Sequence, residues 1–180
     1  GKFEIAGIVE RNGGQKKPVL GYPVLGTDDD LPQIFEQFQY ALVTVGQMRS
    51  SEARKHLYEK LRELNFTLPT VISPRAYVSA HANLGLGTII MHDVLVNAGA
   101  KIGENCILNS NSLIEHDVLI GDHCHIATAS VINGEVVVGA ESFVGSGTIT
   151  HQRITIGEKC VIGAGSVLNK DVPANQIIKP

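Results

Sequence analysis

The chain has 180 residues, 43% of them hydrophobic, and a formal net charge of −3. That length supports one good core or two small ones, and a mildly acidic chain with no Lys/Arg cluster carries no electrostatic footprint for nucleic acid. No apolar run approaches membrane-spanning length and no signal peptide is visible, so the sequence predicts a cytoplasmic protein with neither membrane nor nucleic-acid partners.

The first elements alternate. Residues 3–9 read as a buried strand, broken by a turn at Gly13-Gly14, and residues 20–25 as a second apolar stretch carrying Gly21 and Pro23. Thr27 to Asp30 supply capping oxygens for a helix over 31–38, with Pro32 in its tolerated first turn. Residues 40–45 read as a strand ended by Gly46. Ala53, Leu57, Leu61 and Leu64 give 51–64 helical spacing, with Ser50 or Ser51 as cap and Asn65 as stop. A last strand spans 68–72. Strand and helix in alternation predict an incomplete N-terminal α/β (Rossmann-like) unit over residues 1–73. Its expected opening strand and Gly-rich phosphate turn have no counterpart here.

From Ala76 to Asp171 the sequence divides into sixteen six-residue units without insertion or deletion. The third place is aliphatic in all of them except at Thr150, and the first is small or β-branched. Gly85, Gly103, Gly121, Gly139 and Gly157 recur every eighteen residues, so three hexads make one turn of a parallel β-helix. The glycines are expected at the corners, where a residue without Cβ allows sharp bends. Residues 74–180 therefore form the second predicted domain, a triangular prism with first and third places pointing inward.

The second places sort the outer faces. Face one carries Tyr77, Leu95, Leu113, Val131, Ile149 and Val167; face three carries Ile89, Ile107, His125, Phe143 and Val161. Face two, with Asn83, Lys101, Leu119, Val137 and Thr155, can meet water. Two apolar faces on one prism predict burial against neighbouring copies, and a closed threefold ring would bring face one of each subunit to face three of the next. Cys106, Cys124 and Cys160 share one inward place and read as reduced core residues.

Among seven histidines, His56, His81, His92, His123 and His151 read as solvated or rim positions; of these only His123 has a carboxylate, Glu141, one coil away. His116 differs because the residue one coil above it is Gly134, which leaves a gap over the imidazole. Asp117 or Glu115 could hold one ring nitrogen and leave the other as proton acceptor. His125 lies half a turn away on another face, so the two histidines can meet only across a subunit interface. Three histidines scattered around a prism do not converge as metal ligands must, so no metal is expected.

Three segments resemble the bacterial NeuD/PglD-type sugar O- and N-acetyltransferases: residues 68–78 (LPTVISPRAYV), 114–121 (IEHDVLIG), and 156–167 (IGEKCVIGAGSV) followed by KDVP at 170–173. The resemblance implies a left-handed parallel β-helix, a homotrimer and acetyl-CoA as co-substrate. It implies His116 as general base tuned by Asp117, and His125, Gly134, Ser146 and Ala164 as cofactor-side residues. It implies an acceptor such as a nucleotide-linked amino sugar or a sialic acid, with Glu10 and Gly46 on its side. The family's usual Asp-Asp pair is replaced by Glu10-Arg11, and its opening Gly-rich loop and usual C-terminal tail are not found. A trimeric binding module without catalysis, and a metal hydratase on the same coil, are the competing expectations.

Overall fold

A computed structural model describes residues 3–11, 17–47 and 49–180; the turn expected at Gly13-Gly14 lies outside them. Two compact units divide the chain: Gly1–Ala41 with Glu59–Leu68, and Leu42–Tyr58 with Pro69–Pro180. Leu42–Tyr58 and residues 69–73, assigned by the sequence to the first domain, thus group by contacts with the coil.

In the first unit, β1 (Ile8–Val9) pairs in parallel with β2 (Val24–Gly26). Both are shorter than the apolar runs around them. The helix α1 (Leu31–Phe35) has Pro32 in its first turn and buries Leu31. Asp30 precedes it without capping it: its carboxylate accepts from the Thr27 amide at 2.8 Å and hydroxyl at 3.0 Å, closing the turn instead. The strand expected over 40–45 does not form. Only Tyr40 bridges, to Thr67. Phe35 meets Phe66 edge-on at 5.0 Å, and the last turns of α2 (Glu52–Glu63) bring in buried Leu61. Asn65, at φ 65°, ends that helix as expected.

The second unit is the β-helix. Eighteen two-residue strands stack as three parallel sheets of six, five and seven strands, matching faces one, two and three. Partners are eighteen residues apart, as in Leu113 with Val131 and His125 with Phe143. The sheet on face three begins at Val71–Ile72, so the strand expected to close the α/β unit is in fact the first of the coil. At the far end Val161 pairs with Ile177 and Ile156 with Val172. That spacing of sixteen shows that the last turn is two residues short.

Inward side chains make one continuous core, with Val96, Leu108, Ile114, Ile126, Ile132, Val144 and Ile162 fully buried. Most polar first places are satisfied inside it; the buried Ser112 hydroxyl is the exception among the described residues, with no hydrogen-bond partner. Thr88, Ser130, Ser142 and Thr148 each donate to the carbonyl fifteen residues on, at 2.8 to 3.2 Å. Cys106 and Cys124 make the same contact to Gly121 and Gly139 through sulfur, and all three cysteines are free and buried.

The corner glycines act differently from expectation. Left-handed φ falls on every sixth place from Gly87 to Gly165, among them Asp93, Gly99, Asn105, Asn111, Asp117, His123, Arg153 and Lys159, but not on His81 or Asp171 at the two ends. Asn and Asp tolerate it better than most residues. Gly103 and Gly139 are small because the next coil is too close: a Cβ on Gly103 would lie 2.7 Å from the Asp122 amide nitrogen, and one on Gly139 2.6 Å from the Gly157 carbonyl carbon.

The beginning of α2 covers the corner between faces two and three. Lys55 pairs with Glu141 at 3.1 Å, Ser51 donates to the same carboxylate at 3.0 Å, and Tyr58 donates to Glu104 at 2.8 Å. Tyr58 also meets the His123 ring edge-on. His123 and Glu141 were expected at a rim beside water; the chain's own helix covers them, and burial lowers the His123 pKa. Face three was expected to wait for a neighbour, yet Ile107 and His125 are already buried within one chain.

Because Ile126 is fully enclosed, Ile126→Ala should lower unfolding free energy by about 2 to 5 kcal/mol, while exposed His151→Ala should change it by less than ~0.5 kcal/mol. Urea unfolding followed by circular dichroism measures both.

Candidate functional site

His116 follows the inward Ile114 at the corner between faces one and two. The next residue, Asp117, takes φ 58°, and its carboxylate Oδ2 lies 3.0 Å from His116 Nδ1. Sequence neighbours commonly point apart; here the left-handed step lets them meet. A carboxylate only accepts, so Nδ1 carries the hydrogen and Nε2 is the free nitrogen. Two glycines make the room. A Cβ on Gly99 would collide with Asp117 Oδ1, and a Cβ on Gly134 would lie 2.6 Å from His116 Nε2. The imidazole therefore occupies room that a side chain at 134 would take, and the free Nε2 lies against that glycine.

The surroundings are acidic. Glu115 accepts from Asn97 Nδ2 at 3.0 Å and from the His116 amide at 3.3 Å, and Glu135 pairs with Arg153 at 2.9 Å. The hydrogen bond to Asp117 raises the His116 pKa above its ordinary value, with the Asp117, Glu115 and Glu135 charges adding to it. The ring is about half exposed, so solvent and a substrate can both reach it.

Thr150, the one interruption of the aliphatic column, turns out to belong to this corner. Its buried hydroxyl accepts from the Asn133 amide at 2.9 Å, and its carbonyl accepts from Asn133 Nδ2 at 2.6 Å. That anchors the turn entering Gly134. The break in the column was the signal, and the sequence reading passed over it.

His125 is not near this corner in the fold: it stands in the sheet of face three, whereas His116 follows the sheet of face one. Its Nδ1 lies 3.0 Å from the Gln47 carbonyl, and its ring meets Phe143 edge-on at 5.3 Å. Burial lowers its pKa. Ser146 and Ala164 are exposed and stack one coil apart at the corner between faces three and one, where the Gly165 amide donates to the Ser146 carbonyl at 2.8 Å. One chain thus joins His116, Asp117 and Gly134, and leaves His125 and the Ser146/Ala164 pair apart from them. Gly46 is open, with no atom within 4 Å of where its Cβ would be. Glu10, in the first unit, is half-buried and donates its amide to the Gly26 carbonyl. Among the described residues no three His, Cys, Asp or Glu side chains converge as metal ligands, and no helix is long and apolar enough to cross a membrane.

A family model described as the GMPPB C-terminal domain matches residues 90–178, all within the coil. No curated protein sequence gives a significant match. Solved structures extend the likeness over nearly the whole chain. Perosamine N-acetyltransferase from Caulobacter crescentus, crystallised as a histidine-to-asparagine variant with CoA and GDP-perosamine, is 34% identical; the alignment covers 95% of this chain and 80% of that one, with a TM-score of 0.90. The acetyltransferase domain of PglB from Neisseria gonorrhoeae, with acetyl coenzyme A, is 30% identical over 95% of this chain and 82% of that one, at 0.88. The chain belongs to the NeuD/PglD-type sugar acetyltransferases. WeeI from Acinetobacter baumannii, at 24% identity and a TM-score of 0.85 over 97% of this chain and 82% of that one, shares the fold.

For this acetyltransferase, the protonation of His116 should report the Asp117 contact directly. His116 should titrate above the usual histidine value in side-chain NMR. Asp117→Asn removes the largest raising influence, so the midpoint should then move down. An unchanged midpoint would show that the 3.0 Å contact does not persist in solution.

Proposed function

We propose that the chain transfers the acetyl group of acetyl-CoA to the amino group of a nucleotide-linked amino sugar, with His116 as general base and Asp117 as its orienting partner. The observation that carries this is the pairing of His116 with Asp117 beneath Gly134, which leaves Nε2 free in an open notch. The perosamine enzyme and the PglB domain, solved with CoA ligands and in the first case a nucleotide-linked sugar, support the choice of both substrates.

The chemistry follows from the charges. An aliphatic amine arrives protonated near neutral pH, and the carboxylates of Glu115, Asp117 and Glu135 favour that cation over a neutral hydroxyl. His116 Nε2 accepts one proton from the ammonium, and the neutral amine nitrogen attacks the thioester carbonyl. The C–N bond forms, the C–S bond breaks, and the departing thiolate takes up the second proton that the nitrogen sheds on becoming an amide, leaving the first on His116 to pass to solvent. Donors at the developing oxyanion lower the barrier. O-acetylation of a sialic acid or another sugar uses the same parts, but it places a harder deprotonation on the same imidazole.

On this reading Gly134, Ser146 and Ala164 supply small surfaces for the pantetheine arm, and His125 lies on the cofactor side. Glu10 and Gly46 face the acceptor, and residues 1–73 hold it. The assembly is a homotrimer. Face one supports that arrangement, because Tyr77, Leu95, Ile149 and Val167 form an apolar column 37 to 72% exposed in a single chain, and a patch of that kind marks a contact surface. The proposed setting is the cytoplasm.

Acetyl-CoA, a panel of nucleotide-linked amino sugars and thiol detection test the reaction. Turnover should fall by about 10² to 10⁴-fold in His116→Ala, and equal turnover would remove His116 from its role. In wild type the rate should decline as pH falls through the raised His116 pKa. Asp117→Asn, by lowering that pKa, should shift the acid limb of the profile to lower pH as well as reduce kcat. Light scattering should return three times the chain mass; a single-chain mass would overturn the trimer.

A further inference from the structure

Arg54 is the largest fully buried side chain, at 1% exposure, and no acidic side chain is among its hydrogen-bond partners. An enclosed cation needs hydrogen-bond partners for its donors; here both terminal nitrogens have them, while Nε has none. Arg54 Nη1 donates to the Asn105 carbonyl, and Nη2 lies 2.6 Å from both the His123 carbonyl and Gln47 Oε1. Gln47, itself 5% exposed, spends its other amide end on the Glu141 carbonyl at 3.0 Å. Both ends of that side chain are committed, so the backbone at Gln47 is fixed against the coil.

That backbone is what meets His125. The Gln47 carbonyl lies 3.0 Å from Nδ1, and since a carbonyl oxygen can only accept, the hydrogen is on Nδ1. On the other side Asn109 Oδ1 is taken by the Ser110 amide at 2.8 Å, which turns the Asn109 NH₂ towards His125 Nε2 at 3.5 Å. Nε2 therefore faces a donor and carries a lone pair. The ring's remaining freedom is removed by its edge-on contact with Phe143.

We propose that Gln47 and Arg54 are positioning residues that hold His125 as the neutral Nδ1–H tautomer, so that Nε2 meets acetyl-CoA as a hydrogen-bond acceptor. This rests on reading His125 as a cofactor-side residue. The consequence is specific. Once the 3.5 Å contact to Asn109 gives way, the single lone pair on Nε2 can take an amide N–H of the pantetheine arm, but it cannot donate to the thioester oxygen, so the charge developing on that oxygen must be met by donors other than His125.

The test has two parts that fail separately. Long-range ¹⁵N correlation spectra of the intact protein should show His125 protonated at Nδ1 and bare at Nε2; a protonated Nε2 would overturn the proposal whatever the enzyme's activity. In Gln47→Ala the tautomer should become mixed, and CoA binding by calorimetry should weaken by about tenfold. KM for acetyl-CoA should rise by a similar factor with KM for the acceptor unchanged. Wild-type tautomer and wild-type CoA affinity in Gln47→Ala would overturn it. Arg54→Lys, which keeps the charge but loses the second nitrogen, should shift both readouts in the same direction. A merely structural role would lower the unfolding midpoint of these variants without moving tautomer or affinity. Wild-type protein without acetyl transfer would defeat the proposed reaction, while the spectra and the CoA affinity would still decide this point.

Discussion

The backbone ladder between coils is the constraint on which everything else depends. Two-residue strands cannot stand alone; each is stable only because its amides and carbonyls pair with coils above and below. That pairing fixes an eighteen-residue register, and the register turns a linear sequence into columns. A residue's neighbours along a column are then set by arithmetic. Gly134 is over His116 for no other reason, and the same rule puts Gly99 against Asp117; Thr150 reaches Asn133 one place off its own column, seventeen residues away.

A corner built this way, the proposed catalytic site, is rigid and small. The imidazole is held by its own sequence neighbour because Asp117 takes a left-handed step, and every sixth place from Gly87 to Gly165 takes that step. The site therefore borrows a feature that the coil needs anyway. Its chemistry comes from what the columns leave out, a Cβ at 134 and another at 99, and from the carboxylates gathered around one exposed ring. Those charges make His116 a stronger base and make the corner more hospitable to a cation than to a neutral group.

Much of this was visible beforehand. The hexads, the three faces, the inward cysteines and the gap over His116 all follow from period counting, because the coil has no insertion between Ala76 and Leu168 to disturb it. Period counting misled at the glycines: their spacing marks close approach between coils, whereas the bend falls two places later on Asp, Asn and others. It also ran two residues long at the end, where Val172 and Ile177 pair at a spacing of sixteen. Thr150 was seen as an exception to the aliphatic column but not as an anchor, since its partner is a backbone amide and backbone amides leave no letter in a sequence.

By itself the sequence determined the coil, its register and the candidate base, because a repeat carries its own coordinates. Tertiary structure decided what covers the coil. Leu42–Tyr58 has no period in common with the hexads, and nothing in its letters says that Arg54 will be buried among carbonyls or that Gln47 will close over His125. Those contacts join residues 51 to 94 positions apart, and long-range pairing of that kind is chosen by the whole folded surface and not by any local pattern.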